Sequence, residues 1–451
     1  MTLLDSQLMQ CKAQQIDTTT DVQLKSIPTL NDNASLAVGI IKASSPKEHE
    51  VTKQKTLPKR MSWKVRGQFK LAVKKAIQLS RVSTQGALPF FKEQETTKLK
   101  QETSQLISEH VKKEQVAPII DIFQKLFDGK IQQLTLLVNG RGTSKIYRFS
   151  SSDEEFILRV TDCTRSALFI DVESEVKNMR LVNDLEIAPR LHHADPKTGV
   201  IVMGAVRNIP LTTKMLDDRE QGQAICRSLA TSLKKLHKGP NFSTEPANIF
   251  RNIEVLLEEA GSRMPQLAQK VLMTVMPLEQ IMAPYATSAP CHRDLHSSNV
   301  LFDGKKIFFI DWELALNSDP VSDLGFVSMF FLFTKEHEEL FLETYYGKTP
   351  TASQKAYFFL MKQVCIVCFA ARLMRRVCVR EKIDLSKEEI DLSQLSHYRD
   401  FILENYNDNP KPYTIQDRKN SIYYFLREVS QNSQSVEFQQ SKEVLAEGPK
   451  Q

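Results

Sequence analysis

The segment that most constrains the fold of this 451-residue chain reads CHRDLHSSNVLFDGKKIFFIDWE over residues 291–313. Its two apolar runs, VLF and IFFI, are separated by a polar turn that contains glycine, a pattern that predicts a short β-hairpin. Asp294 and Asn299 precede the first run, and Asp311 directly follows the second. The hairpin would therefore bring two carboxylates and one carboxamide to the same end of a small sheet.

This group of side chains suits phosphoryl transfer. The reaction requires a positioned hydroxyl, a divalent metal bound by hard oxygen ligands, and neutralisation of the charge on the transferring group. Asp294 is the candidate for accepting the proton of the acceptor hydroxyl or for orienting that hydroxyl. Asn299 and Asp311 are the candidate ligands of Mg²⁺. The alternative is that these residues form Asx turns that merely shape a loop.

Composition places the chain among ordinary soluble proteins of about two or three folding units. Hydrophobic residues make up 41% of it and charged residues 25%. The seven cysteines follow no disulfide framework, and the N-terminus has no apolar core of signal-peptide length. No run of about 18 uncharged apolar residues occurs, which argues against a membrane span. We therefore expect a cytoplasmic protein with reduced thiols.

Residues 1–110 are predicted to form a largely mobile N-terminal extension. The first half is polar and lacks a sustained apolar period. Residues 53–81 then contain ten Lys or Arg and no Asp or Glu, with apolar residues partly at helical spacing. This basic window is a candidate for contact with an anionic membrane surface, although a solvated mobile segment is the commoner meaning of such a run. Nucleic acid is not an expected partner.

Residues 115–206 predict a small α+β unit. An apolar stripe at helical spacing ends at Phe127, and three strand-like runs follow it. Successive strands joined by short polar turns favour an antiparallel sheet, and a further helix is predicted over residues 172–182. The three runs occupy residues 134–138, 145–149 and 156–160.

Residues 207–430 are predominantly helical in pattern apart from the hairpin. The apolar stretch 357–379 is interrupted by four basic residues, Arg372 among them, so it predicts a buried helix. Two cysteines at C-x-x-C spacing lie inside that stretch, and burial in a helix is favoured for them over metal or redox chemistry. Residues 431–451 are polar again and predict a loose tail.

The segment 291–313 resembles the signature of the choline kinase and aminoglycoside phosphotransferase superfamily, distant relatives of protein kinases. That signature is His-x-Asp-Leu-His-x-x-Asn followed by Ile-Asp-Trp-Glu, and the resemblance extends over residues 116–347. It implies that His292 and His296 shape the loop and that Asp323 braces it. Asp323 is also expected to cap a helix that begins nearby.

The same resemblance implies where a nucleotide binds. The turn between the first two strands would cover the ATP phosphates, because glycine lets backbone N–H groups approach an anion. Arg159 would contact the α- and β-phosphates, with Glu175 holding its guanidinium group. The connection between the lobes would meet the adenine. The implied cofactor-binding residues are Gly140, Gly142, Thr143, Ser144, Arg159, Glu175, Met203 and Ala205.

The fold implied by the resemblance is α+β: a bilobal, protein kinase-like fold with a small N-lobe of antiparallel sheet plus helix and a larger, mostly helical C-lobe. The implied activity is ATP- and Mg²⁺-dependent phosphorylation of a small-molecule alcohol, foremost one like choline or ethanolamine. Aminoglycoside, thiamine and sugar kinases share the same loop, and a protein acceptor also stays open. A different class, a pseudokinase or an adaptor that docks on a membrane through residues 53–81, is the second hypothesis.

Recognition of a quaternary ammonium would require aromatic faces and a carboxylate around the cation. Trp312, Glu313, Tyr345 and Tyr346 are the candidates in this sequence. Each of them could equally belong to the core or the surface.

Overall fold

A computed structural model describes residues 104–138, 144–162, 171–242, 245–388, 390–408 and 414–448. All of these residues belong to the same structural unit. The predicted basic window at residues 53–81 lies outside the described residues, as does the rest of the predicted N-terminal extension up to residue 103. The glycine-containing turn at residues 139–143 also lies outside them, so Gly140, Gly142 and Thr143 have no described position.

The N-terminal lobe is built on a five-stranded antiparallel sheet with the strand order β1-β2-β3-β5-β4. One helix precedes the sheet, and a second helix connects β3 to β4. The elements are α1 (Lys113–Phe127), β1 (Gln132–Val138), β2 (Ser144–Ser151), β3 (Glu154–Thr161), α2 (Val172–Asn183), β4 (Leu191–Asp195) and β5 (Val200–Gly204). The predicted α+β unit with an antiparallel sheet is confirmed.

Successive side chains of β3 point alternately to the two faces of this sheet. Phe156, Leu158 and Val160 are buried in the hydrophobic cluster that α1 forms with one face. Ile157 and Arg159, which point to the opposite face, line a cavity instead. Because successive side chains of a strand point to opposite faces, the apolar run that anchors the sheet also delivers a guanidinium group into the cavity.

The C-terminal lobe is mostly helical and contains two small two-stranded sheets, one formed by β6 and β9 and one by β7 and β8. Its helices before these sheets are α3 (Thr213–Asp217), α4 (Arg219–His237), α5 (Ile249–Ala260), α6 (Gln266–Val275) and α7 (Leu278–Met282). The strands are β6 (Ala289–Cys291), β7 (Val300–Phe302), β8 (Ile307–Phe309) and β9 (Leu316–Ser318). The later helices are α8 (Pro320–Phe331), α9 (Lys335–Tyr346), α10 (Ala352–Arg375), α11 (Tyr398–Ile402), α12 (Ile415–Asn432) and α13 (Val436–Ala446).

Helix α10 forms the centre of this lobe and packs against α5, α8, α12 and α13. Among the described residues, the stretch Ala352–Arg380 passes a length and composition test for a membrane-crossing helix. However, 83% of its most apolar window is buried inside the protein, as in the core helix of a globular domain. The prediction of a buried helix over residues 357–379 is confirmed.

Two expectations about the C-terminal lobe are wrong. Residues 431–451 were expected to be loose, but α13 packs against α10 and buries Phe438 and Leu445, which lie two helical turns apart on one face. Only two of the apolar residues in this polar segment are at the spacing of a buried helix face, which is too weak a period to stand out in the sequence. Asp323 was expected to cap a helix, but α8 begins at Pro320 and its N-cap is Asp319, whose side chain accepts a hydrogen bond from the Val321 amide.

Helices α8 and α10 lie close together at Gly325. A Cβ atom at this position would lie 2.8 Å from the Cys365 sulfur and 3.4 Å from the Lys362 Cα atom. We expect Gly325→Ala to lower the free energy of unfolding by up to about 2 kcal/mol, because an overpacking cost of about 1–3 kcal/mol outweighs the roughly 1 kcal/mol by which alanine favours a helix over glycine. Denaturant unfolding measures this change.

The matched variant for this prediction is the double substitution Gly325→Ala with Cys365→Ala, which removes the clashing sulfur. We expect it to be more stable than Gly325→Ala alone, since contacting sites are not additive. A Gly325→Ala protein as stable as the wild type would show that the two helices do not require close contact here.

Candidate active site

The loop of residues 292–299, which connects β6 to β7, is held from behind by Asp323. The carboxylate of Asp323 accepts hydrogen bonds from the backbone amides of His292 and Arg293, both at 2.7 Å. Arg293 has a φ of 66°, a left-handed conformation that is uncommon for a residue with a side chain. The two hydrogen bonds therefore stabilise a strained part of the 292–299 loop.

Two further side chains hold Asp323 itself in place. His237, at the end of α4, lies 3.1 Å from Asp323 through Nε2 and 2.8 Å from the Tyr345 hydroxyl through Nδ1. Tyr345 in turn packs edge-on against Tyr346. The Tyr345 hydroxyl therefore helps to support the 292–299 loop and does not bind the acceptor substrate.

Asp294 is buried at the centre of the 292–299 loop with both carboxylate oxygens in use. Oδ1 accepts a hydrogen bond from Nη1 of Arg372 at 2.5 Å, and Oδ2 accepts one from the side-chain amide of Asn299 at 3.2 Å. Burial alone would raise the pKa of Asp294, but the charges of Arg372 and His296 outweigh burial and hold that pKa below its ordinary value. Asp294 is therefore an ionised carboxylate in a fixed orientation.

Asn299 and Asp311 lie next to each other at one end of the β7–β8 hairpin. The Ile310 amide donates to the Asn299 carbonyl oxygen at 3.0 Å, which places Asp311 beside Asn299. His292 contacts the Ile310 carbonyl oxygen through Nε2 at 2.9 Å. The Asn299 amide group donates to Asp294, which leaves its Oδ1 oxygen buried without a hydrogen-bond partner among the described residues.

Arg159 reaches the same place from the N-terminal lobe. Its Nη2 donates to Glu175 at 2.5 Å, and its Nη1 lies 3.8 Å from Asp311 Oδ1. Burial opposes the charge on Arg159, but Glu175 and Asp311 raise its pKa above the ordinary value. The guanidinium group of Arg159 thus connects β3 and α2 to Asp311, which follows the hairpin.

The site contains more buried carboxyl groups than buried guanidinium groups. Among the described residues, the buried carboxylates of Glu175, Asp294, Asp311 and Glu313 outnumber the guanidinium groups of Arg159 and Arg372. Burial raises the pKa of Asp311, opposed by Arg159, and the charges of Glu175 and Asp294 raise it further. Burial raises the pKa of Glu313 most, and the charge of Asp311 raises it further. A cation beside Asp311 would offset this repulsion.

A cavity of about 450 Å³ lies between the sheet and the hairpin. Its lining includes Arg159, Glu175 and Asp311, together with the segment of residues 203–208 that connects the lobes and contains Met203 and Ala205. Apolar side chains of both lobes complete the lining, a composition suited to a flat aromatic base with a polar tail.

The other predicted residues that the structure describes, Trp312 apart, do not line this cavity. Asp294 and Asn299 adjoin Asp311 without lining the cavity, and the His296 ring caps the short 3₁₀ helix Ser297–Asn299 by accepting from the Ser298 amide. Ser144 is buried, and its hydroxyl lies 2.9 Å from that of Thr161 within the sheet.

Sequence reasoning missed three residues that position the site. Arg372 contacts Asp294, His237 contacts Asp323, and Asn178 donates to the Ala315 carbonyl oxygen at 2.8 Å, which ties α2 to the segment after Asp311. The sequence does carry a signal for Arg372, since a charged residue inside an apolar helix requires a buried partner. Nothing in the pattern identifies that partner.

Part of this chain is similar in sequence to known proteins. The model of the phosphotransferase enzyme family matches residues 135–349. Protein LicA of Haemophilus influenzae is 26% identical over 245 residues, which cover 52% of this chain and 69% of LicA. LicA of the Rd strain of that species is 26% identical over 233 residues, 49% of this chain and 84% of the relative.

A crystal structure with a similar fold is that of a choline/ethanolamine kinase family protein from Mesorhizobium loti. The TM-score is 0.51 at 18% sequence identity, and the match covers 70% of this chain and 93% of the other. The predicted bilobal, protein kinase-like fold is confirmed. Residues 135–349 match the phosphotransferase enzyme family, and this match identifies the protein as a small-molecule kinase.

Proposed function

We propose that this protein transfers the γ-phosphoryl group of ATP, with Mg²⁺, onto the hydroxyl of a small amino alcohol of the choline or ethanolamine type. The observation that carries the proposal is the convergence of Asp294, Asn299 and Asp311 beside the cavity that Arg159 enters from the other lobe. Charge stabilisation and positioning are the main tasks of a protein in phosphoryl transfer.

The acceptor hydroxyl is oriented by Asp294. Its oxygen attacks the γ-phosphorus, the bond from that phosphorus to the β-phosphate oxygen breaks, and ADP leaves. The hydroxyl proton passes to Asp294, whose carboxylate is held in one orientation by Arg372 and Asn299. Arg159 binds the α- and β-phosphates, and Glu175 keeps its guanidinium group in place.

Asn299 and Asp311 fit a divalent cation. The Asn299 Oδ1 oxygen is buried without a hydrogen-bond partner among the described residues, and Asp311 lies among like charges. Carboxylate and carboxamide oxygens are the hard ligands that Mg²⁺ prefers. When bound there, Mg²⁺ neutralises negative charge on the transferring phosphoryl group.

The amino-alcohol acceptor rests on the family signature and on the likeness to one solved structure, that of a choline/ethanolamine kinase family protein. Trp312 and Glu313 follow Asp311 directly, and both are buried beside it. The Trp312 ring lines the cavity and packs against His292, so the Glu313 carboxylate is the group at this position that suits a small cationic alcohol.

An acceptor panel tests the proposal. Purified protein is incubated with ATP and Mg²⁺ and with choline, ethanolamine, aminoglycosides, thiamine or sugars, and products are identified by mass spectrometry. We expect Mg²⁺-dependent phosphorylation of an amino alcohol. Phosphorylation of an aminoglycoside, thiamine or a sugar alone would refute the acceptor class, and ATP left unconsumed with every acceptor would refute the kinase mechanism. Binding to anionic liposomes through residues 53–81 by such an inert protein would favour an adaptor.

A further inference from the structure

Arg372 lies beside Asp294 on α10, a helix that supplies neither the proposed metal ligands nor the cavity lining. Its side chain is only 15% exposed. Nη1 donates to the carboxylate of Asp294 at 2.5 Å, and Nη2 donates to the carbonyl oxygen of Arg293 at 2.9 Å. A single planar group therefore holds two consecutive residues of the 292–299 loop.

The 292–299 loop requires support at this point because Arg293 has a left-handed backbone. Asp323 of α8 holds the amide side of the strained segment, through the N–H groups of His292 and Arg293. Arg372 holds the carbonyl side of the same segment and also the carboxylate that follows it. Between them, the two side chains fix the peptide groups on either side of Arg293.

Helices α8 and α10 also meet at Arg372. The guanidinium group lies over the ring of Phe326 on α8, 5.4 Å from the ring centroid. This contact limits the directions that the guanidinium plane can take. The orientation of Asp294 is thus set by the packing of two buried helices as well as by its own loop.

We propose that Arg372 is a positioning residue for phosphoryl transfer, which holds the Asp294 carboxylate and the Arg293 peptide so that the acceptor hydroxyl lies in line with the γ-phosphate. This inference rests on the proposed role of Asp294. It requires two donors in one plane, because one nitrogen binds the carboxylate while the other binds the carbonyl oxygen. Lysine keeps the charge but offers a point donor without that planar fork.

Two variants and one matched control test the inference. Arg372→Met removes both hydrogen bonds, and Arg372→Lys keeps the charge. The control is Arg375→Met on the same helix, which removes a comparable ion pair, since Arg375 binds Glu259 at 2.8 and 3.3 Å. The measurements are kcat, KM for ATP and KM for the fastest acceptor of the panel, and hydrogen exchange of a peptide that covers residues 291–301.

We expect Arg372→Met to lower kcat by roughly 10²-fold, the cost of a misplaced reacting group, while both KM values stay within about threefold of wild type. Arg372→Lys should recover part of this loss and remain roughly tenfold below wild type. Exchange of the loop peptide should become faster in Arg372→Met. Arg375→Met should match the wild type in kcat and in exchange of that peptide.

Three results would overturn the inference. A raised acceptor KM with unchanged kcat would mean that Arg372 binds the acceptor itself. Equal losses in Arg372→Met and Arg375→Met would mean that α10 gives only general support. Unchanged exchange of the loop peptide in Arg372→Met would mean that the loop does not depend on this contact.

The exchange measurement separates this inference from the proposed function. If the wild type phosphorylates no acceptor, the proposed function fails, but the exchange measurement remains informative. Faster exchange of the loop peptide in Arg372→Met would still support the role of the contact, and unchanged exchange would still refute it. Should Arg372→Met fail to fold, Arg372→Lys decides through kcat. A kcat equal to wild type in Arg372→Lys would refute the need for a two-donor group.

Discussion

Asp294→Asn is expected to lower turnover by roughly 10²- to 10⁴-fold, the range typical of removing a general base. Asparagine has nearly the same shape and can still accept the hydrogen bond from Arg372, so the fold should persist. The neutral amide leaves the guanidinium group without its counter-charge, and we expect a loss of about 1–3 kcal/mol in the free energy of unfolding. Steady-state kinetics and thermal unfolding measure the two effects.

Asp303→Asn serves as the control for this variant. Asp303 lies in the turn between β7 and β8, where Oδ1 accepts hydrogen bonds from the amides of Lys305 and Lys306. Asparagine preserves that acceptor oxygen, so turnover should stay at the wild-type level. Equal turnover in Asp294→Asn and Asp303→Asn would remove Asp294 from its assigned role.

Asp311→Asn is expected to lower turnover by roughly 10²- to 10³-fold, because a metal ligand supports several kcal/mol of charge stabilisation. The same change removes one of several buried like charges, so the protein without Mg²⁺ should melt no lower than the wild type. In the wild type, saturating Mg²⁺ and ATP should raise the melting temperature by on the order of 5 °C. The variant should show little of that rise.

Differential scanning calorimetry with and without Mg²⁺ and ATP tests this pair of effects, with Asp303→Asn again as the control. A variant that melts well below the wild type in the absence of Mg²⁺ would mean that Asp311 acts mainly as the partner of Arg159. A full rise with Mg²⁺ and ATP would mean that the cation does not depend on Asp311.

Local patterns in the sequence were sufficient to predict a strand-rich first part, a helical second part and the hairpin. Alternation of period two identifies β2 and β3, and the polar residues at the ends of β7 and β8 indicate a shared site. These features depend on neighbours in the chain, which single-sequence patterns capture well. The arrangement of Asp294, Asn299 and Asp311 about one hairpin follows directly from them.

Contacts between distant segments could not be read from the sequence. Arg372 lies 78 residues from Asp294, and His237 lies 86 residues from Asp323. Their pairing depends on how α4, α8 and α10 pack, and that packing is decided by shape details such as the contact of Gly325 with Cys365. The N-cap at Asp319 is, by contrast, a local feature, because Asp319 directly precedes the proline at the first helical position of α8.

We propose that Asn299 and Asp311 hold one cation next to Asp294 and a bound nucleotide. A crystal structure of the protein with Mg²⁺ and a non-hydrolysable ATP analogue tests it most directly. We predict a metal ion about 2.0–2.1 Å from the Asn299 and Asp311 side-chain oxygens, with the terminal phosphate facing Asp294. A nucleotide bound in the cavity with its metal held elsewhere, and Asn299 and Asp311 outside the coordination sphere, would contradict the account.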